Sequence, residues 1–174
     1  PSLLSRIIIL HCITPLLLCR LMLPLMRAHG KGYILNVSSI AAAMDWPLVG
    51  MYGCTKRFVK GYSRALRIEC MGTPVSVTTA IFGAVDTPLL EGLSMPLRKL
   101  MRRFGLMLSP ENATHRALRA MFHRKRTLIP CLSDRIAIML CPLMPDILLH
   151  ALWKKYAKRI QRSDVHDKHN IIKR

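Results

Sequence analysis

Tyr33-Ile34-Leu35-Asn36-Val37-Ser38-Ser39 is a short apolar run that closes on small polar residues. It reads as a strand buried on both faces, with its polar end at the carboxyl edge of a sheet. The turn His29-Gly30-Lys31-Gly32 precedes it, and a loop through Met44-Asp45-Trp46-Pro47 follows. From Met51 to about Cys70 the apolar residues recur at helical spacing, and Gly72-Thr73-Pro74 closes that helix. Val75-Ser76-Val77-Thr78-Thr79-Ala80-Ile81 is rich in β-branched residues and reads as a second strand.

The same rhythm extends outward. Upstream, Ile7 to Met26 is apolar enough to raise a transmembrane helix, but it carries Arg20, His11, Pro15 and Pro24. A buried helix at a subunit contact is the expectation there. Downstream, Phe82 to Leu108 reads as irregular, with a basic helical piece around Leu97–Phe104. Ser109-Pro110-Glu111 is a helix start: a cap, proline at the first helical position, and an acid on the dipole. That helix is expected to run to about His123, with Thr127-Leu128-Ile129-Pro130 as a third strand.

Helix and strand in alternation predict an α/β layer fold around a parallel sheet. Residues 1–132 form the expected catalytic domain, 133–161 two apolar and basic C-terminal helices, and 162–174 a polar basic tail.

With 174 residues the chain can bury one core and not two comfortable domains. Lys and Arg number 27 against 9 acids, a formal charge of +18. That excess points to an anionic partner of some kind: a membrane surface, phosphate-bearing ligands or nucleic acid. No nucleic-acid motif or aromatic-interleaved basic strand accompanies the charge, so nucleic acid is the least expected. The six cysteines form no CxxC pair and no metal-ligand spacing, which suits a reducing, cytoplasmic setting. His166-Asp167-Lys168-His169 offers too few ligands for a metal site, and none is assigned.

The chemistry lies in Ser39, Tyr52 and Lys56. Four residues apart on one predicted helix, Tyr52 and Lys56 share a face. An ammonium beside a phenol favours phenolate, which makes Tyr52 a candidate general acid or base near neutral pH. At the carboxyl end of its strand, where open α/β sheets place their ligand crevices, Ser39 could donate to a carbonyl oxygen as negative charge develops. A lone YxxxK is more often a solvated helix face. Its neighbours sharpen it here: Ser39 thirteen residues upstream, and a strand downstream that ends in Phe82-Gly83-Ala84-Val85-Asp86-Thr87.

With these three segments in this order, the chain resembles the short-chain dehydrogenase/reductase family, in particular its hydroxysteroid dehydrogenase and ketoacyl reductase-like members. The resemblance covers roughly residues 5 to 130. It implies the C-terminal part of a Rossmann-like, doubly wound parallel sheet. It also implies hydride transfer between NADP or NAD and a carbonyl or alcohol carbon.

By that resemblance Tyr52 exchanges the proton and Ser39 orients the substrate oxygen. Lys56 lowers the tyrosine pKa and holds the nicotinamide ribose. Val85 and Thr87 meet the carboxamide, and Gly83 allows close backbone approach. Pro88–Leu108 is the expected substrate loop, its Leu and Met content suiting a small apolar substrate such as a steroid or acyl chain. A homodimer is the assembly expected of the intact parent.

Two departures stand out: Phe82-Gly83 where the family usually has Pro-Gly, and His11 at or beside a position that is commonly Asn. The family's first strands, its TGxxxGxG turn and its Asn-Asn-Ala-Gly segment do not occur in these residues. The expectation is therefore that the 174 residues alone bind cofactor poorly, with an inactive fragment as the alternative reading. A basic membrane-surface protein is another, since Arg135 to Arg162 mixes Ile, Leu, Met and Trp153 with Lys154, Lys155, Lys158 and Arg159. A C-terminal helix packed on the body, with lysine stems covering apolar surface, explains that segment equally well.

Overall fold

The computed structural model describes residues 3–46, 50–90, 94–155 and 157. In chain order the elements are α1 (Leu3–Ile8), a π-helical turn (Ile9–Ile13), α2 (Thr14–Ala28) and β1 (Gly32–Ser39). A 3-10 turn (Ile40–Ala43), α3 (Gly50–Glu69), β2 (Val75–Phe82), β3 (Ala84–Val85) and α4 (Met95–Arg103) follow. Next come β4 (Met107–Leu108), α5 (Pro110–Phe122), β5 (Thr127–Leu128), α6 (Leu132–Leu140) and α7 (Asp146–Lys155). The C-terminal helical expectation beyond Lys155, the basic tail and the His166–His169 segment lie outside the described residues, apart from the helical position 157.

β1 and β2 pair in parallel without a slip, from Gly32 opposite Val75 to Ser39 opposite Phe82. β5 adds to the far edge of β2 through Thr79 and Ala80, also in parallel, giving the order β1-β2-β5. β2 is thus the central strand, and from Val75 to Ile81 every residue is buried. A strand covered on both faces reads as a continuous apolar and β-branched run rather than an alternating one. The third strand is shorter than its sequence suggests, because Pro130 has no N–H for the ladder.

Alternation along the strands divides the side chains between two layers. Ile34, Asn36, Ser38, Val75 and Val77 face α2 and α3. Cys19, Leu66 and Cys70 complete the apolar cluster on this face. Inside it Asn36 Nδ2 donates to Ser63 Oγ at 2.9 Å, and Ser63 in turn donates to the Val59 carbonyl at 2.6 Å. The buried amide is satisfied within the helix–sheet layer, as a buried polar group must be. The opposite face carries Leu35 and Val37 beneath α5, and Tyr33 meets the Phe122 ring edge-on at 5.4 Å. Helices on both faces of a parallel sheet make the fold α/β, as the element rhythm predicts.

Three features depart from the sequence reading. The first helix is not continuous α-helix: Thr14 N–H reaches back to the Ile9 carbonyl across a π turn just before Pro15, which has no N–H to continue the regular ladder. Residues 82–108 are not merely irregular, because β3 and β4 pair in parallel within them. Pro145 and the 3-10 turn Cys141–Leu143 split the C-terminal helices, which bend by 108° between Leu132–Leu143 and Asp146–Lys155.

The helical run Leu4–Ala28 is long and apolar enough to cross a membrane, and only 11% of its most apolar window is buried. Cys19, Leu23 and Met26 pack on the sheet, while Leu18, Leu21 and Leu25 face outward.

Candidate active site

Tyr52 and Lys56 lie in the first two turns of α3, half-buried, as the four-residue spacing predicts. The helix start is held close to the end of β1 by Gly53, where a Cβ would come within 2.8 Å of the Ala41 carbonyl oxygen. Ser39 ends β1 and caps the 3-10 turn, its hydroxyl accepting from Ala41 N–H at 3.2 Å. The small residues Ala41, Ala42 and Ala43 are buried and let strand end and helix start approach. Ser38, one residue earlier and on the other face, donates to the Lys56 carbonyl at 2.8 Å and tethers the same helix turn.

Lys56 Nζ donates to the Val37 carbonyl at 3.2 Å and sits 5.6 Å from the centroid of the Tyr52 ring. Burial pushes the Lys56 pKa down, and the thiol of Cys12 opposes that shift. On the other side of Tyr52, the His11 ring meets the phenol edge-on at 5.7 Å, and its Nδ1 pairs with Thr55 Oγ1 at 3.0 Å. Thr55 Oγ1 donates to the Tyr52 carbonyl at 2.8 Å, which leaves it free to accept from His11. Burial first, then the Lys56 charge, lower the His11 pKa and favour the neutral imidazole. His11 falls in the π turn, and its ring faces α3.

Val85 and Thr87 line a cavity of about 370 Å³ on the α5 face of the sheet, with Leu35, Val37 and Phe82 on its sheet side. Val37 links the two groups: its side chain lines the cavity and its carbonyl holds Lys56. The structure therefore groups Tyr52 with Lys56, and Val85 with Thr87. Among the described contacts Ser39, which ends β1, joins neither group; its hydroxyl caps the following 3-10 turn.

Gly83 approaches a different partner. Its N–H donates to Asp134 Oδ2 at 3.1 Å, and a Cβ there would collide with the Asp134 carboxylate. Asp134, at the start of α6, is buried and went unnoticed in the sequence reading. An Asp two residues into a helix is ordinarily a dipole partner, so only its burial distinguishes it.

Asp86 is the second residue missed. Both Arg98 and Arg102 of α4 pair with its carboxylate, Arg98 through Nε at 2.8 Å and Arg102 through Nη1 at 3.0 Å. The Arg98 bond, ahead of the other influences, holds the Asp86 pKa below the usual carboxylate value. The signal available was the Arg98/Arg102 spacing of four, which puts both on one face of the basic helix.

A pH test isolates Asp134. Burial raises its pKa above the ordinary 3.8 despite the Gly83 bond. In the unfolded chain it ionises first, so its contribution to stability falls as pH rises from 3.8 toward the raised folded midpoint. Asp134→Asn keeps an acceptor for Gly83 N–H and removes that titration. Urea unfolding across this acid window should show a flatter stability–pH curve for the variant. An unchanged slope would mean that Asp134 is not held in this way.

The sequence model of the short chain dehydrogenase family matches residues 4–96, more than half of the chain. The chain belongs to the short-chain dehydrogenase family. Mouse 17-beta-hydroxysteroid dehydrogenase type 3 is 33% identical over 98 residues, covering 55% of this chain and 32% of the relative. A solved 7beta-hydroxysteroid dehydrogenase superposes with a TM-score of 0.67 at 25% identity, over 76% of this chain and 51% of the other. The 3-ketoacyl-(acyl-carrier-protein) reductase of Brucella melitensis, solved with NADH, superposes with a TM-score of 0.59 at 27% identity, over 70% and 51%.

The short-chain dehydrogenase chain described here thus spans about a third of the length of that mouse relative. Its three-stranded sheet is a Rossmann-like arrangement, as the solved relatives show.

Proposed function

We propose that this chain carries the catalytic half of an NAD(P)-dependent oxidoreductase acting on a carbonyl or alcohol carbon of an apolar substrate, of steroid or acyl type. The observation that carries the reading is the Tyr52–Lys56 pair, tied through Val37 to the wall of the cavity that Val85 and Thr87 line. The cavity fits the nicotinamide end of a dinucleotide: about 370 Å³, mainly apolar, with the Thr87 hydroxyl as a polar group at its wall. No Gly-rich phosphate cradle occurs in the sequence, so these residues fit that end alone.

Bound there, a nicotinamide would supply or accept the hydride. Tyr52 gives its phenolic proton to the carbonyl oxygen as the carbon is reduced, or takes it back in the oxidation. Lys56, fixed by the Val37 carbonyl, stabilises phenolate after the proton has left. Ser39 donates to the same oxygen while its negative charge develops. Phe82, Val85 and Thr87 would shape the wall that receives the nicotinamide. The stretch 88–108, whose helix α4 is tied to Asp86 by Arg98 and Arg102, would supply the substrate loop. Residues 1–132 form the catalytic unit in this reading, and 133–161 form a C-terminal addition whose described helix α6 meets Gly83 through Asp134.

The relatives named for steroid and ketoacyl substrates support the substrate class, and the one solved with NADH supports the cofactor. All six cysteines are free, which suits a cytoplasmic location. The outward leucines of α2 favour a covered face, through a second copy or peripheral contact with a membrane.

Lys56→Met tests the site. In the longest natural polypeptide that carries these residues, NAD(P)H-dependent reduction of a ketone panel should fall about a hundredfold. Retention of full activity by the variant would remove Lys56 from the mechanism.

A further inference from the structure

On the sheet face opposite the nicotinamide cavity, a groove of about 310 Å³ is lined by Arg57, Lys60, Arg64 and Arg67 of α3 and by Arg126, just before β5. We infer that this groove binds a compact phosphate-bearing anion, at a site separate from the catalytic one. The inference does not rest on the oxidoreductase reading.

The spacing of the four α3 residues, three, four and three, stacks their side chains on one helix face. Like charges at such spacing repel one another and destabilise an isolated helix. A chain can carry the cluster at little cost when acids or a ligand neutralise it. Among the described residues, acids do so at one end only: Asp45 pairs with Arg57 at 2.9 Å. Lys60, Arg64, Arg67 and Arg126 form no ion pair there.

The two ends of the groove are nevertheless held in place. Arg57 Nε donates to the Ala42 carbonyl at 2.9 Å. Arg67 donates to the carbonyls of Val77 at 2.7 Å and Arg124 at 3.0 Å. Between these anchored forks stand Lys60, Arg64 and Arg126, whose donors are directed at no described acceptor.

Gly61, exposed at the centre of the basic stripe, faces open space. A Cβ there would meet nothing within 4 Å, so the groove beside it is not filled by packing. The groove also lies apart from the catalytic cavity. Thr79, on its sheet side, pairs in register with Asn36, whose side chain points to α3; Val85 and Thr87 open under α5 instead. Several guanidinium groups around a small concavity match the oxygens of a phosphate group, which accepts charge-assisted bonds from each.

Inorganic pyrophosphate and phosphatidylinositol bisphosphate vesicles serve as the two probes, with vesicles of matched charge made with phosphatidylserine as reference. The full chain should bind pyrophosphate saturably at one site per chain. Arg64→Gln with Arg126→Gln should weaken that binding at least about tenfold, since two charge-assisted contacts are lost. Lys154→Gln with Lys155→Gln, basic positions on α7, should leave it unchanged. Arg64 and Arg126 are exposed, and circular dichroism checks that the variant remains folded.

If pyrophosphate also displaces the chain from phosphoinositide vesicles, the phosphate is that of a lipid headgroup. If only the soluble anion binds, it is a free phosphate compound. Absence of saturable pyrophosphate binding, equal losses in both double variants, or vesicle binding that pyrophosphate does not displace would each overturn the assignment.

Discussion

Tyr52→Phe is expected to lower kcat/KM for an apolar ketone about a thousandfold, the scale of a lost general acid at the reacting oxygen. The change deletes one oxygen and leaves the ring. The ring's contacts, edge-on with His11 and beside Lys56 Nζ, survive the substitution. Thr55 bonds the Tyr52 carbonyl and not its hydroxyl, so the helix turn is also untouched. Thermal unfolding should therefore move little while turnover collapses, and KM should move less than kcat. Rates within a few-fold of wild type would mean that another group delivers the proton. His11, edge-on to the ring, is one candidate, and His11→Ala in the Tyr52→Phe background would then remove the residual rate.

Gly83→Ala is expected to destabilise the fold by about 3 kcal/mol, combining a steric clash with a lost hydrogen bond. The added methyl would enter the space held by the Asp134 carboxylate. Asp134 is buried at the base of α6 and has little room to withdraw. Relief then requires α6 to shift or the Gly83 N–H bond at 3.1 Å to break. Asp134→Ala in the same chain should restore part of the loss, because the clash disappears with the carboxylate. Denaturant unfolding of the two single variants and the double variant forms a cycle whose coupling term measures the contact. Additive losses would show that Gly83 matters for another reason.

The strands and helices of the sheet were legible because each rests on local chemistry. β2 is a β-branched run bounded by Gly72-Thr73-Pro74, and α5 begins at Ser109, whose hydroxyl accepts from Asn112 N–H as a cap does. Tyr52 and Lys56 were legible because they share a face by helical spacing and because Ser39 upstream and Phe82–Thr87 downstream singled the pair out. Three features were not.

The β3–β4 ladder joins segments twenty-two residues apart with two residues each, too short for any periodicity to register. The partnership of Gly83 with Asp134 spans fifty-one residues and depends on how α6 docks. The basic groove collects four side chains that look like an ordinary solvated helix face in sequence, and becomes a site only once Arg126 is brought beside them. Local patterns announce elements, and the close approaches between elements come from packing.

The measurement that tests the central claim most directly is isotope transfer from NADPH carrying deuterium at the nicotinamide C4 position. The longest natural polypeptide that contains these residues would be incubated with an apolar ketone, and the alcohol product read by mass spectrometry. The account predicts one deuterium on the carbinol carbon with the wild-type protein and almost none with Tyr52→Phe. Deuterium incorporation that is the same in both, or absent with the wild-type protein while the cofactor binds, would contradict it.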